Sequence, residues 1–235
     1  AISDQDNPNF NYNHNVIKVS NSLSTLQELS KFHRKKCNAK VIGITGSNGK
    51  TTTKELIYSV LSSNFKTICT PGNFNNHIGL PLSLFEIRHD SEFAVIEMGA
   101  NNFGEIAFLT SLCEPDYGYI TNFGKAHLEG FINIDGVIKA KTELYQWIIK
   151  NDKTLLINGE DKNQKKFDNH KHIMFGCGDN FQFNFREKNN EFINVLHDNY
   201  LFETKLYGTY NYSNVCAAIA LGLEFGIDKN QINQS

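Results

Sequence analysis

The stretch Val41-Ile-Gly-Ile-Thr-Gly46-Ser-Asn-Gly49-Lys50-Thr51-Thr52-Thr53 constrains the fold of this chain more than any other segment. An apolar strand runs through a glycine-rich turn into a helix, so a strand end, a tight turn and a helix N-terminus must meet at one point. Gly46 and Gly49 permit the turning. Exposed N–H groups and the helix N-terminus suit a phosphate, Lys50 adds a cation, and Thr51 offers a hydroxyl to Mg²⁺. The usual phosphate loop has its first glycine six residues before the lysine, where this chain has Ile44; here the glycine stands at 46. Gly46, Ser47, Asn48, Gly49, Lys50, Thr51 and Thr52 are therefore the candidate residues for binding the phosphates of a nucleotide, with Thr51 toward Mg²⁺.

From Val41 onward, short apolar runs alternate with helical segments of ten to fifteen residues, the rhythm of a parallel α/β sheet. Strands are expected at Val41-Ile44, Thr67-Thr70, Phe93-Ile96, Gly118-Thr121, Thr154-Ile157 and His172-Phe175. Helices are expected near 50–62, 81–87, 103–111, 135–149, 160–167 and 212–225. Segments 181–186, 191–196 and 200–206 have no helix between them and read as a small antiparallel patch. The fold class is thus α/β: a P-loop-type, mainly parallel sheet flanked by helices, with a small antiparallel β patch. Ahead of it, residues 4–15 are rich in Asn and Asp and read as a linker. Asn21 or Ser22 caps a helix with Leu23, Leu26, Leu29 and Phe32 at helical spacing, and Arg34-Lys35-Lys36 reads as its solvated basic end.

With 23 basic and 25 acidic residues the formal charge is −2, which provides no footprint for long nucleic acid or an anionic membrane. The five cysteines are widely spaced and form no CxxC pair, so neither a disulfide framework nor a zinc site is expected. A reducing cytoplasm fits that usage. No apolar run approaches the ~18 residues of a membrane span, and the polar start is unlike a secretory signal.

Three further features carry chemistry. Glu97 ends the apolar run Phe93-Ala-Val-Ile, where the C-terminal edge of a strand delivers a side chain to a ligand crevice. Lys139 and Lys141 lie two apart on one helix, so only one of them can point inward. Asn211 and Asn214 are spaced i, i+3 at a helix start, able to present two amides together or to cap the helix.

The shortened loop Thr-Gly-Ser-Asn-Gly-Lys-Thr-Thr-Thr-Lys-Glu resembles that of the Mur ligase family. Gly72-Asn73-Phe-Asn75-Asn76-His-Ile-Gly-Leu-Pro-Leu, Ile96-Glu97-Met-Gly-Ala100, Ile120-Thr-Asn-Phe-Gly-Lys-Ala-His127-Leu-Glu, Ala140-Lys141-Thr-Glu-Leu-Tyr and Gly208-Thr-Tyr210-Asn211-Tyr-Ser-Asn214 follow in the family's order, from about Val19 to Gly226. The resemblance implies an ADP-forming ligase of peptidoglycan-precursor synthesis. Its substrates would be UDP-N-acetylmuramoyl-tripeptide and D-alanyl-D-alanine, joined through an acyl phosphate, and the protein a cytoplasmic monomer.

By the same resemblance Lys50, Glu97, His127 and Lys141 are the catalytic residues. Thr51, Glu97 and His127 would be the ligands of Mg²⁺, two ions in all, and Lys141 the lysine that CO₂ converts to N6-carboxylysine, with Glu143 as a nearby helper. Asn211 and Asn214 would face the adenine end of ATP, and Asn73, Asn75 and Asn76 the γ-phosphate or peptide. Where the family commonly has histidine, this chain has Tyr210, which receives no role. Residues 39–228 are expected to be the central ATP-binding domain. Residues 1–38 would be the remnant of an N-terminal UDP-binding domain with linker and helix, and 229–235 the start of a linker to a missing C-terminal domain. Such a piece is expected to ligate poorly or not at all. Two other classes fit the phosphate loop: another ligase of the superfamily, such as the meso-diaminopimelate-adding enzyme or a folylpolyglutamate synthetase, and a non-catalytic ATP-binding module. The Asn-rich loop at 73–76 argues against the first.

Overall fold

The structure is a computed structural model that describes residues 1–6, 9, 15–124, 131, 133–177, 180–188 and 192–235. Its elements run β1 (Ile2–Ser3), β2 (Ile17–Lys18), α1 (Ser22–Lys36), β3 (Lys40–Thr45), α2 (Lys50–Ser62), β4 (Thr67–Cys69), α3 (Gly79–Phe85), β5 (Phe93–Glu97), α4 (Glu105–Cys113) and β6 (Tyr117–Ile120). There follow α5 (Ile134–Lys150), β7 (Thr154–Asn158), β8 (His172–Gly176), β9 (Phe181–Gln182), β10 (Asn184–Lys188), β11 (Phe192–His197), β12 (Tyr200–Glu203), α6 (Tyr212–Glu224) and α7 (Lys229–Gln234).

Seven strands form one sheet in the order β4-β5-β3-β6-β7-β8-β9, every pairing parallel. From β3 the chain moves outward to β4, returns beside β3 as β5, and then crosses to the other flank as β6. The C-terminal end of β3 is therefore a topological switch point, where a crevice opens between strands whose connections leave in opposite directions. Because strand side chains alternate, β3 sends Ile42 and Ile44 to one face and Val41 to the other. On the first face they pack with Ile57 and Leu61 of α2 and Ala217 and Leu221 of α6. On the second, Val41, Ile96 and Ile120 pack with Leu84 of α3, Leu109 of α4 and Leu144 of α5. Burial on both faces explains the near-continuous apolar strands.

The expected strands all form, and so do the expected helices except the one at 160–167. There only a single 3-10 turn, Lys165–Phe167, is present. The Asp161 carboxylate accepts the amides of Asn163 and Gln164, an Asx turn that competes with helix. Gln164 is fully buried and uses its amide on Ile120 O, Asn158 N and the Tyr145 hydroxyl, which fixes the segment against β6 and β7.

The antiparallel patch is β10-β11-β12, but its expected first segment is divided. Residues 181–182 join the large sheet parallel to β8, and only from Asn184 does the chain enter the patch. Upstream, Ile2–Ser3 pairs with Ile17–Lys18 as a short parallel ribbon around the segment read as a linker. Asn21 caps α1 through the Ser24 amide, and the Asp4 carboxylate takes the amide and hydroxyl of Ser22. At the other end, residues 229–234 form a helix, and its Asn230 and Asn233 bond Tyr200 and the amide of Glu203.

Arg34 departs from the reading of a solvated basic end. It is buried, donating to the carbonyls of Cys113, Cys37 and Glu114 and to the Asp116 carboxylate, which also binds Lys153 and the Val41 amide. One guanidinium thus ties α1 to the end of α4 and the start of β3. Removing it leaves buried carbonyls and a carboxylate short of a partner. Arg34→Met is expected to lower unfolding free energy by about 2–3 kcal/mol in urea titration. Lys35→Met, whose ammonium is half exposed at 3.6 Å from Glu114, should change it by less than about 0.5 kcal/mol. Equal effects would contradict this account.

Candidate active site

The phosphate loop leaves β3 at Gly46, whose φ is +146°; a Cβ there would lie 2.0 Å from the Thr121 hydroxyl. At Gly49, φ is +76° and a Cβ would meet the Asn214 amide at 3.0 Å. Both glycines are thus required by backbone conformation and by close approach. The loop is clamped from the end of β6. Asn122 accepts the Asn48 amide at 3.1 Å and donates to the Asn48 carbonyl at 2.9 Å, so one side chain grips both polar groups of one residue. The Thr121 hydroxyl donates to the same carbonyl at 2.6 Å. The Ser47 amide donates to Asn122 O, and the Ser47 hydroxyl to Gly124 O. Among the described residues no side chain caps the N-terminus of α2, an end that suits an anion.

Lys50 lies back over its own loop, donating to Gly46 O at 2.9 Å and Ser47 O at 3.2 Å. Burial holds its ammonium below the ordinary lysine range, an effect opposed by attraction to Glu97. Ser47, Asn48, Gly49, Lys50, Thr51, Thr52, Asn73, Asn75 and Glu97 line one recess of about 310 Å³. All seven loop residues singled out from the sequence except Gly46 therefore face a common space, and Gly46 supplies the turn behind it.

Glu97, at the C-terminal end of β5, is 1% exposed. Its carboxylate accepts the Thr51 hydroxyl at 3.0 Å on one oxygen and the Asn75 amide at 2.7 Å on the other. Its own amide donates to the Thr70 hydroxyl. Among the described residues it forms no ion pair, so a buried carboxylate faces only neutral hydrogen-bond donors, with Lys50 acting at longer range. The hard oxygen donors of Glu97 and Thr51 beside a phosphate loop suit Mg²⁺, which keeps several waters and takes few protein ligands. Among the described residues no group of three or more His, Cys, Asp or Glu side chains is gathered as a metal cage. His127 lies outside the described residues.

The three loop asparagines differ. Asn75 reaches Glu97. Asn76 accepts the amides of Ile78 and Gly79, starting α3, so its side chain is engaged in the turn. Asn73 lines the recess, and its carbonyl accepts the Asn75 amide. A second cavity, about 400 Å³, adjoins on the far side of Lys50 and is lined by Asn75, Asn76, His77, Gly99, Ala100, Asn101 and Glu105.

Lys141 is buried on α5, whereas the Lys139 ammonium sits over the Phe103 ring. The Lys141 ammonium donates to Ala100 O at 3.4 Å and sits 5.5 Å from the centre of the Phe131 ring. Burial, reinforced by repulsion from Lys50 and opposed by Glu105 and Glu143, pulls its pKa down to about 8. Glu143 serves the fold: its carboxylate accepts the amides of Gly104 and Ala107 and so caps α4. Asn214 is buried, accepting the Thr53 hydroxyl and donating to Asn211, which in turn donates to Tyr207 O. Asn211 stands at the N-cap of α6 but makes no capping bond, so the two amides form a relay from α6 to α2 behind Gly49.

Sequence reasoning missed Asn122, Thr70 and Lys54 as members of this assembly. Asn122 had a signal, since it follows a strand beside β3 at its C-terminal end. Thr70 and Lys54 had none, because the groups that tie them to the site are main-chain groups distant in sequence.

Against known proteins, residues 44–222 match the Mur ligase middle domain. A UDP-N-acetylmuramoyl-tripeptide–D-alanyl-D-alanine ligase of Bacillus subtilis is 37% identical over 232 residues, covering 97% of this chain and 50% of the relative. The crystal structure of MurF from Acinetobacter baumannii superposes with a TM-score of 0.85 at 30% identity, covering 99% of this chain and 52% of that one. MurF ligase from Thermotoga maritima in complex with ADP gives 0.83 at 27% identity, over 100% of this chain and 56% of that one. The chain spans about half the length of the relatives it matches. With the middle-domain match covering more than half of its residues, the chain belongs to the Mur ligase family.

Proposed function

We propose that the full-length protein joins D-alanyl-D-alanine to UDP-N-acetylmuramoyl-tripeptide with hydrolysis of ATP to ADP and phosphate, in peptidoglycan-precursor synthesis. The observation that carries this reading is the convergence of Lys50, Thr51, Asn75 and Glu97 on one recess at the switch point. The activity for which the Bacillus subtilis relative is named supports the substrates. The ADP complex of the Thermotoga maritima ligase supports a nucleotide in the loop. Residues 39–228 would be the ATP-binding unit, with 1–38 and 229–235 leading to the portions that bind the UDP end and the amine. Alone, the unit would ligate poorly. No helix among the described residues is long and apolar enough to cross a membrane, and a cytoplasmic monomer is the form proposed.

In this reading a terminal carboxylate oxygen of the tripeptide attacks the γ-phosphorus and ADP departs. The amine of D-alanyl-D-alanine then attacks the acyl phosphate carbon, loses a proton, and phosphate leaves. The loop amides and the N-terminus of α2 bind the β- and γ-phosphates, and Lys50 swings from Gly46 O and Ser47 O onto them. The cavity beyond Lys50, toward Ala100 and Glu105, has room for the peptide end. Thr51, Glu97 and His127 would hold Mg²⁺, and a carbamate on Lys141 a second ion. Such ions neutralise the charge that builds up when two anionic groups approach. Asn75 orients the Glu97 carboxylate, and Asn211 and Asn214 brace the loop from behind while the base lies toward α6.

Positional isotope exchange in ATP, given the UDP-tripeptide without D-alanyl-D-alanine, tests the acyl phosphate: exchange is expected, and its absence would favour a nucleotide-binding module. Glu97→Gln keeps the shape but removes the charge. It is expected to lower kcat by about 10²–10³-fold with little change in KM for D-alanyl-D-alanine. A variant within about threefold of wild type would remove Glu97 from the chemistry.

Carbamoylation requires a neutral amine. Since the Lys141 pKa is lowered to about 8, the reactive form is the minority below that pH and the majority above it. At fixed dissolved CO₂, a ¹³C-carbamate NMR signal is expected to grow as pH rises through about 8 and to vanish in Lys141→Arg. A signal that is absent at every pH would leave Lys141 an unmodified lysine.

A further inference from the structure

Lys54 lies on α2 one turn beyond Lys50, where the packing calls for an apolar residue. It is fully buried. Its ammonium donates to Thr70 O at 2.8 Å and Gly72 O at 3.0 Å, and pairs with the Glu55 carboxylate at 2.9 Å, so all three of its N–H groups have acceptors. Desolvating an ammonium is costly, and an aliphatic side chain of similar size would fill the same space without that cost. The charge is directed at two carbonyls that bracket Pro71, at the exit of β4.

Beyond that exit lies the recess. The Thr70 hydroxyl accepts the Glu97 amide, and the Thr70 amide donates to Val95 O. Five residues on, the Asn75 carbonyl accepts the Gly99 amide while its side chain holds Glu97. The segment 70–75 is thus fastened to β5 and its exit at both ends. Lys54 fastens it to the helix that carries Lys50 and Thr51. Gly72 takes φ +51° between these anchors.

We propose that Lys54 is a positioning residue: by clamping the exit of β4 to the phosphate-loop helix, it sets the separation of Thr51 from the Asn75–Glu97 pair that receives the nucleotide's terminal phosphate and its divalent cation. This rests on the assignment of that recess made above, and not on ligation itself.

The test uses full-length Lys54→Met and Lys54→Arg, with two readouts. One is hydrogen–deuterium exchange in nucleotide-free, metal-free protein; the other is the gain in ADP affinity on adding Mg²⁺, by calorimetry. For Lys54→Met, exchange across 72–76 and at Gly99 is expected to quicken about tenfold while β6 and β7 keep their protection. The Mg²⁺-dependent gain is expected to fall about tenfold, and metal-free ADP affinity by less than about threefold. Lys54→Arg, which keeps charge and donors on a differently shaped head, should fall between.

Wild-type exchange and Mg²⁺ gain in Lys54→Met would overturn the proposal. So would a uniform loss of protection over the whole sheet, which marks a general stability role. Should Lys54→Met fail to fold, Lys54→Arg decides: a raised Mg²⁺ requirement with an intact sheet supports the clamp, and wild-type behaviour overturns it. Wild-type protein that binds ADP with Mg²⁺ but never ligates would count against the ligase alone.

Discussion

A buried carboxylate with no charged partner in contact among the described residues is the constraint on which the site depends. Glu97 is delivered to the end of β5 by four apolar residues that hold the strand in the core, and burial denies it water. Two neutral donors, Thr51 and Asn75, occupy one oxygen each. A carboxylate so placed retains capacity for a cation, because each oxygen has a second lone pair and the low local dielectric strengthens the pull of any charge brought near. The donors also come from different directions, one from the phosphate-loop helix and one from the loop after β4. The position of the carboxylate therefore reports whether those two elements are in register.

The switch-point topology makes this convergence possible. With β3 central, its outgoing loop lies between the ends of β5 and β6, and neither neighbour is adjacent to it in sequence. One neighbour contributes Glu97. The other leads into Thr121 and Asn122, which grip Asn48 by its main chain. A phosphate loop must hold its backbone in one shape, and a side chain that satisfies both main-chain groups of one residue does this without drawing on the amides at the start of α2. The glycines at 46 and 49 are the counterpart: each lets a neighbouring polar side chain come close to the loop backbone.

Much of this was legible in the sequence, for physical reasons that differ by element. The parallel strands were readable because burial on both faces makes them almost wholly apolar, and the phosphate loop because its backbone geometry restricts residue type. Glu97 stood out as a charge ending an apolar strand. Helical geometry said that only one of Lys139 and Lys141 points inward, and the family resemblance singled out Lys141. What escaped was of two kinds. At 161–164 a helical pattern gave way to an Asx turn, because Gln164 finds three buried partners in β6, β7 and α5 that no local rule foresees. Arg34 and Lys54 were hidden because long cationic side chains are mostly solvated, and nothing local reveals that carbonyls from segments distant in sequence await them. Asn76 and Glu143 carry the reverse lesson, since polar side chains beside a site can also serve to start a helix.

Lys50 and Lys141 complete the electrostatics. Two ammonium groups near one cavity repel, and that repulsion contributes to the depressed pKa of Lys141. Such an arrangement is unfavourable in isolation and favourable once anions enter, so it functions as a preference for a highly charged ligand. In the proposed reading, a phosphate brought to the loop would draw Lys50 away from Gly46 O and Ser47 O. In the same reading, a carbamate on Lys141 would turn its repulsion from Lys50 into attraction. The buried amine would then offer two electrostatic states, set by how easily it loses its proton. Burial beneath Ala100 and beside Phe131, reinforced by repulsion from Lys50, is what brings its pKa down to about 8.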